Sequence, residues 1–216
     1  MGFRNINGYD RKCFFLSLDT RLRRMEAGTP YRIRLINPRE GQCGFVDGVR
    51  GSIAWDHANN DDQVLLAPNG RPSYPFAAAV EDHEDGITEA IQGDEWLMSA
   101  MRQTVICHAL GWHPPRFAHL PTLLNEAGEA LFPHREEAYA QVETYRTPPD
   151  VILNYLAWPT FMFEDGRQKF TLEQMVEHFD FGRIGKMQPK LDTDRLMWLQ
   201  EQYQLMWLQA QMLSQR

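Results

Sequence analysis

Apolar and polar positions alternate from Tyr31 to Leu35, with Tyr31, Ile33 and Leu35 on one side and Arg32 and Arg34 on the other. That two-residue period is the mark of a half-buried strand. Asp47-Gly48 separates Cys43-Gly44-Phe45-Val46 from the run Val49 to Trp55, and Asn69-Gly70 follows Val64-Leu65-Leu66. Both dipeptides favour tight hairpin turns because their residues tolerate positive φ. The stretch from Tyr31 to Val80 therefore reads as antiparallel strands. Residues 11–27 fit two readings: Leu18, Leu22 and Met25 make a helical stripe closed by Gly28, whereas Cys13-Phe14-Phe15-Leu16 suits a buried strand.

The acidic run Glu81 to Gly86 reads as a loop, and after it the apolar period lengthens to that of a helix. Asp94 is placed to cap a helix from Glu95 to Leu110, with Leu97, Met101 and Val105 as its stripe and Gly111 and Pro114-Pro115 as its stop. Shorter helices are expected over 121–130, 135–145, 150–157 and 172–179. Thr171 and Gln174 stand at capping-box spacing before the last of these. Prolines 148, 149 and 159 keep the helices short.

The C-terminal segment carries a direct repeat, Leu-Met-Trp-Leu-Gln at 196–200 and again at 205–209. As a helix, its positions Leu196, Leu199, Tyr203, Met206, Ala210 and Leu213 alternate spacings of three and four, the seam of a coiled coil. An offset of nine residues, at ~100° per residue, turns the second copy about half a turn from the first. Trp198 and Trp207 should then face opposite sides, one toward the protein's own body and the other toward another chain. The expected partner-binding set is Leu196, Trp198, Leu199, Tyr203, Met206, Trp207 and Leu213; the competing reading is a helix that closes the protein's own core. Together these elements predict an α+β protein. It comprises an N-terminal antiparallel β module over 1–85, a compact helical module over 86–190 and a C-terminal amphipathic helix over 191–216.

Charge sharpens this picture. The net charge is −7, yet residues 1–50 hold ten basic side chains, nine of them arginine, against five acidic ones, and the remainder holds twelve against twenty-four. Arg21, Arg23, Arg24, Arg32 and Arg34 are the expected electrostatic contacts for an acidic surface, with protein as first choice and nucleic acid second. Three cysteines do not make a disulfide scaffold, and no apolar run approaches the ~18 residues a membrane span requires. A cytoplasmic location, or assembly into a virion made in the cytoplasm, is expected.

Chemical motifs are sparse. Cys107-His108, His113 and His119 match no zinc spacing, and the carboxylates at 56–62 and 81–85 lack the alternating ligands of a calcium loop. Asp180-Phe181-Gly182 lacks every companion motif of a kinase, and no glycine-rich phosphate loop or glycine-flanked nucleophile occurs. No metal or cofactor is expected. Elimination points to a structural or assembly subunit of a larger complex, non-enzymatic, in homo- or hetero-oligomeric contact with other protein subunits; a tailed-phage neck, tail or baseplate piece is its concrete form. The alternatives are a hydrolase using a His/Asp site at His57 or at His108 to His119, and a small inhibitor or adaptor that binds another protein.

Overall fold

The computed structural model describes residues 9–131, 147–158, 160–161 and 163–214, with the side chains of Trp207, Ala210, Leu213 and Ser214 outside that description. The helix expected over 135–145 also lies outside it. The chain divides into two units, one of Met1–Asp47, Gly51–Ala90 and Trp96–Phe117, the other of Gly48–Arg50, Ile91–Glu95 and Ala118–Arg216.

In the first unit, helix α1 (Leu18–Glu26) is followed by strands β1 (Ile33–Arg34), β2 (Gln42–Asp47), β3 (Gly51–Asp56) and β4 (Val64–Leu66), then by α2 (Tyr74–Glu84) and α3 (Leu97–Leu110). Strands β2 and β3 pair antiparallel from Gln42↔Asp56 to Asp47↔Gly51, and β1 pairs antiparallel with β4. The connection at Asp47-Gly48 is three residues long, Gly48-Val49-Arg50, where the dipeptide alone predicts two. Gly51, at φ 82°, takes the left-handed position that closes it. Residues 74–84, read from sequence as the end of the strands and an acidic loop, are helical instead. Pro75 in the first turn has the fixed φ a helix start needs, and Ala77-Ala78-Ala79 favours propagation.

Two apolar clusters hold this unit. Cys43, Trp55 and Val105 pack with Phe45, Ile53 and Met101, and Ala79, Ile106 and Cys107 pack with Leu65, Phe76 and Trp112. Helix α3 thus packs with the N-terminal strands and with α2. Its stripe needed a partner, and the hairpin's inner face supplies one.

Strands β5 (Glu89–Gly93) and β6 (Arg116–Leu120), which the sequence reading missed, form a separate two-stranded sheet. They begin side by side, Arg116 N–H donating to Thr88 O at 2.8 Å and its guanidinium standing 3.4 Å from Glu89. The strands therefore run in the same direction, with α3 as their crossover.

The second unit contains α4 (Pro149–Ala157), α5 (Leu172–His178) and α6 (Thr193–Ser214). The capping box of α5 is formed in both directions, Gln174 N–H to Thr171 Oγ1 at 3.2 Å and Thr171 N–H to Gln174 Oε1 at 3.0 Å. Residues 121–130 are a turn, not the expected helix: Leu124 bridges Ala130, Gly128 has φ 86°, and Asn125 Oδ1 accepts from Glu129 N–H. One core gathers Val49, Phe161, Phe163, Phe170 and Phe181; the other joins Val151 and Tyr155 of α4 to Leu191, Leu196 and Leu199.

Candidate functional site

The basic N-terminal segment is built outward from one buried carboxylate. Asp62, its side chain 2% exposed, receives Arg11 Nε at 2.6 Å, a second Arg11 nitrogen at 2.5 Å and the Asn37 N–H at 2.9 Å. Arg11 also donates to Asn37 O, and Arg34 donates to Asp62 O at 2.7 Å while lying 4.4 Å over the Tyr9 ring. Arg34 is thus engaged within the fold, with a quarter of its side chain still exposed. These bonds fix the chain just ahead of α1, whose first turn is capped by Ser17 Oγ accepting from Thr20 N–H.

Helix α1 has no buried residue. Leu18, Leu22 and Met25 lie exposed along it, preceded by exposed Phe14 and Phe15 and followed by exposed Tyr31. Arg23 pairs with Asp19 one turn away. Arg21, Arg24 and Arg32 are exposed and make no ion pair among the described residues. Uncompensated guanidinia interleaved with exposed aromatic rings suit an extended polyanion, because phosphates take the cations and bases can stack on the rings.

A second polar patch lies along α2. The Tyr74 and Trp96 rings stand 4.5 Å apart, both substantially exposed, and the Ser73 hydroxyl is buried without a partner among the described residues. Burial first, then the charges of Glu81 and Asp85, raises the Asp82 carboxyl above its ordinary value of 3.8. Burial likewise pushes the Tyr74 phenol up, with Asp82 and Glu81 adding to it. A carboxyl raised in the folded state stabilises most fully below its unfolded value, and that stability is lost as pH rises through the folded one. Asp82→Asn should therefore shift neutral-pH stability by about 0.5 kcal/mol or less and remove the acid-side gain. Urea melts at several pH values check this; an unchanged pH slope would contradict the assignment.

The histidines do not build a hydrolytic centre. His57 follows β3 in a single 3-10 turn, His113 is exposed, and His119 is buried in β6. His108 Nδ1 lies 3.7 Å from Cys43 Sγ, but burial pushes that thiol up, away from the thiolate a nucleophile needs. Among the described residues no group of three or more His, Cys, Asp or Glu is placed to hold a metal ion.

Helix α6 divides its seam between two fates. Leu196 and Leu199 are in the unit's own core, and Tyr203 donates to Phe170 O at 3.1 Å while accepting from Asn154 Nδ2 at 2.6 Å. Leu196 and Leu199 are thus buried within the unit, and Tyr203 is half-buried against it. Burial, then the charge of Asp150, raises the Tyr203 phenol and keeps its proton in place. The Arg195 guanidinium lies 4.1 Å from the centre of the Trp198 ring and 4.4 Å from that of Trp158. Met206 is exposed, as are Leu205, Leu208 and Met212; Trp207 and Leu213 belong to the side chains outside the description.

Sequence reasoning also missed an apolar cavity of about 330 Å³ in this unit, lined by Ile91, Leu120, Leu156, Phe161, Phe179 and Phe181 among others. Its lining comes from four separate stretches of chain, so no local pattern announces it.

The family model for the catalytic domain of class I tRNA synthetases (E and Q) matches residues 3–198. The glutamate–tRNA ligase of Finegoldia magna is 34% identical over 198 residues, 90% of this chain and 40% of that protein. The ligase of Chlamydia felis is 35% identical over 212 residues, 94% of this chain and 40% of that protein. Among solved structures, the glutamate tRNA ligase of Elizabethkingia meningosepticum, in complex with its amino acid, superposes with a TM-score of 0.78 at 25% identity over 88% of this chain and 42% of that one. The synthetase of Elizabethkingia anophelis gives 0.79 at the same identity and coverage. The chain thus spans about two fifths of the length of these relatives.

Proposed function

Because the chain belongs to the family of class I tRNA synthetases of the glutamate and glutamine type, catalytic domain, we propose that it serves in the attachment of glutamate to tRNA, with ATP driving the ligation. The family match overturns the reading as a structural, phage-virion subunit. It also reverses the order of partners: nucleic acid, placed second on the strength of the acidic total charge, comes first. Net charge misled because it averages over the chain, whereas a polyanion meets one face. A cytoplasmic location goes with this reading, and among the described residues no helix is long and apolar enough to cross a membrane.

The observation that carries the RNA-binding role is the exposed, uncompensated Arg21, Arg24 and Arg32 beside Phe15 and Tyr31. Each guanidinium that neutralises a phosphate releases a counterion, so three such contacts contribute roughly 2 to 3 to the slope of log affinity against log salt. The triple variant R21A/R24A/R32A should bind glutamate-accepting tRNA about a hundredfold more weakly at low salt and lose that part of the slope. Among the described residues none of the three side chains has an ion-pair partner, so the melting temperature should hold. Filter binding across a salt series measures both quantities, and an unchanged slope would reject these arginines as the RNA face.

A further inference from the structure

Residues 12–32 leave the body of the first unit and return to it at one place. On the way out, Tyr9 N–H donates to both carboxylate oxygens of Asp61 at 3.1 Å, and Arg11 binds Asp62. On the way back, Ile33 and Arg34 pair with Leu66 and Val64, and Leu35 N–H donates to Gln63 O at 2.9 Å. Both ends are thus fixed to the single segment 61–66. Between them residues 21–33 are all exposed, and among the described residues no hydrogen bond or ion pair joins 12–32 to any residue beyond Arg34. The segment is a strap hung from its own base, and α1, carrying Arg21 and Arg24, is its outer span.

Side chains lock that base. Arg34 touches both ends: it donates to Asp62 O, stands 3.6 Å from the Asp61 carboxylate and lies over the Tyr9 ring. Arg11 closes the lock from the outgoing side, and its backbone is strained there. At φ 57° it is the one non-glycine residue among those described that takes the left-handed region. Glycine adopts that conformation freely, so the guanidinium is what arginine brings to the position. A two-pronged bond to a buried carboxylate is strong enough to hold an unfavourable φ in place.

We propose that Arg11 and Arg34 are positioning residues for RNA binding, holding the strap so that Arg21, Arg24 and Arg32 meet the phosphates as one preorganised set. This rests on the RNA-binding reading of those three arginines. A strap released at its outgoing end is tethered only at Ile33, and each binding event must then order it. The apparent affinity falls with the fraction of molecules whose base is closed. The number of phosphates contacted does not change, because the arginines that meet them are untouched. Affinity and salt slope therefore separate, whereas loss of a phosphate contact moves both.

Two variants test this on the purified chain. Arg11→Gly relieves the backbone while deleting the lock, and Arg34→Gln loosens the same base at an unstrained position. Each should bind glutamate-accepting tRNA about tenfold more weakly at low salt, with the slope of log affinity against log salt unchanged and with wild-type circular dichroism. Without RNA, trypsin should cut after Arg21, Arg23 and Arg24 about tenfold faster than in wild type, since a released strap opens more often. If Arg11→Gly loses the wild-type circular dichroism, Arg34→Gln decides alone. A slope smaller by about 0.7 or more makes the substituted arginine a phosphate contact itself and overturns the proposal. Full affinity overturns it too, as does unchanged cleavage by trypsin. R21A/R24A/R32A in the same series separates the two readings: an unchanged slope there rejects the RNA face, while its expected loss beside full affinity in Arg11→Gly and Arg34→Gln rejects only the positioning role.

Discussion

Asp62→Ala should destabilise the first unit by about 3–5 kcal/mol, the cost of removing one partner of a buried ion pair. Three N–H donors converge on this carboxylate, two from Arg11 and one from the Asn37 backbone. Deleting it leaves a mostly buried guanidinium without a counter-ion and a buried amide without an acceptor. A loss of that size is a large fraction of the ~5–15 kcal/mol that holds a typical domain together. Asp62→Asn keeps an acceptor for Asn37 and should cost less than alanine. Urea denaturation of the three proteins decides the matter; an alanine variant within about 1 kcal/mol of wild type would mean that solvent reaches the pair freely.

Leu199→Ala carries the second large effect. Leu199 is fully buried among Val151, Tyr155, Leu191 and Leu196, and truncating a buried leucine costs about 2–5 kcal/mol, depending on how far the site collapses. Met206→Ala, two turns further along α6 and 41% exposed, should change stability by about 0.5 kcal/mol or less. Both residues belong to one seam by spacing. Comparable losses from the two substitutions would show that the seam acts as a single buried surface, and the division of α6 described above would fall.

That seam illustrates what was legible in the sequence and what was not. The length of α6, the capping box at Thr171 and the stop of α3 at Gly111 were legible because each is written in residues within one or two turns of one another. Which side of α6 is buried was not, because a helix apolar nearly all round after its first turn offers little contrast, and the choice is made by Tyr155 and Val151 on a distant stretch of chain. Strands β5 and β6 were missed because each is only five residues long, and β6 reads Arg-Phe-Ala-His-Leu beside two prolines. Its buried histidine breaks the apolar run expected of a covered strand. The arginine excess was legible as a feature, whereas its division into engaged Arg34, paired Arg23 and exposed Arg21, Arg24 and Arg32 depends on Asp62, Tyr9 and Asp19 in the folded chain. The family left no mark among the motifs sought, since none of the phosphate-loop, metal or nucleophile patterns occurs in this stretch.

The interleaving of the two units along the chain bears on heredity. The second unit takes Gly48–Arg50 and Ile91–Glu95 from within the span of the first. A genetic crossover at residue 117 would therefore transmit the long C-terminal stretch without Val49 for its aromatic core and without the Arg50–Asp94 ion pair. No single recombination point delivers the second unit whole, so the two are bound to be inherited together, and their substitutions must drift as one lineage.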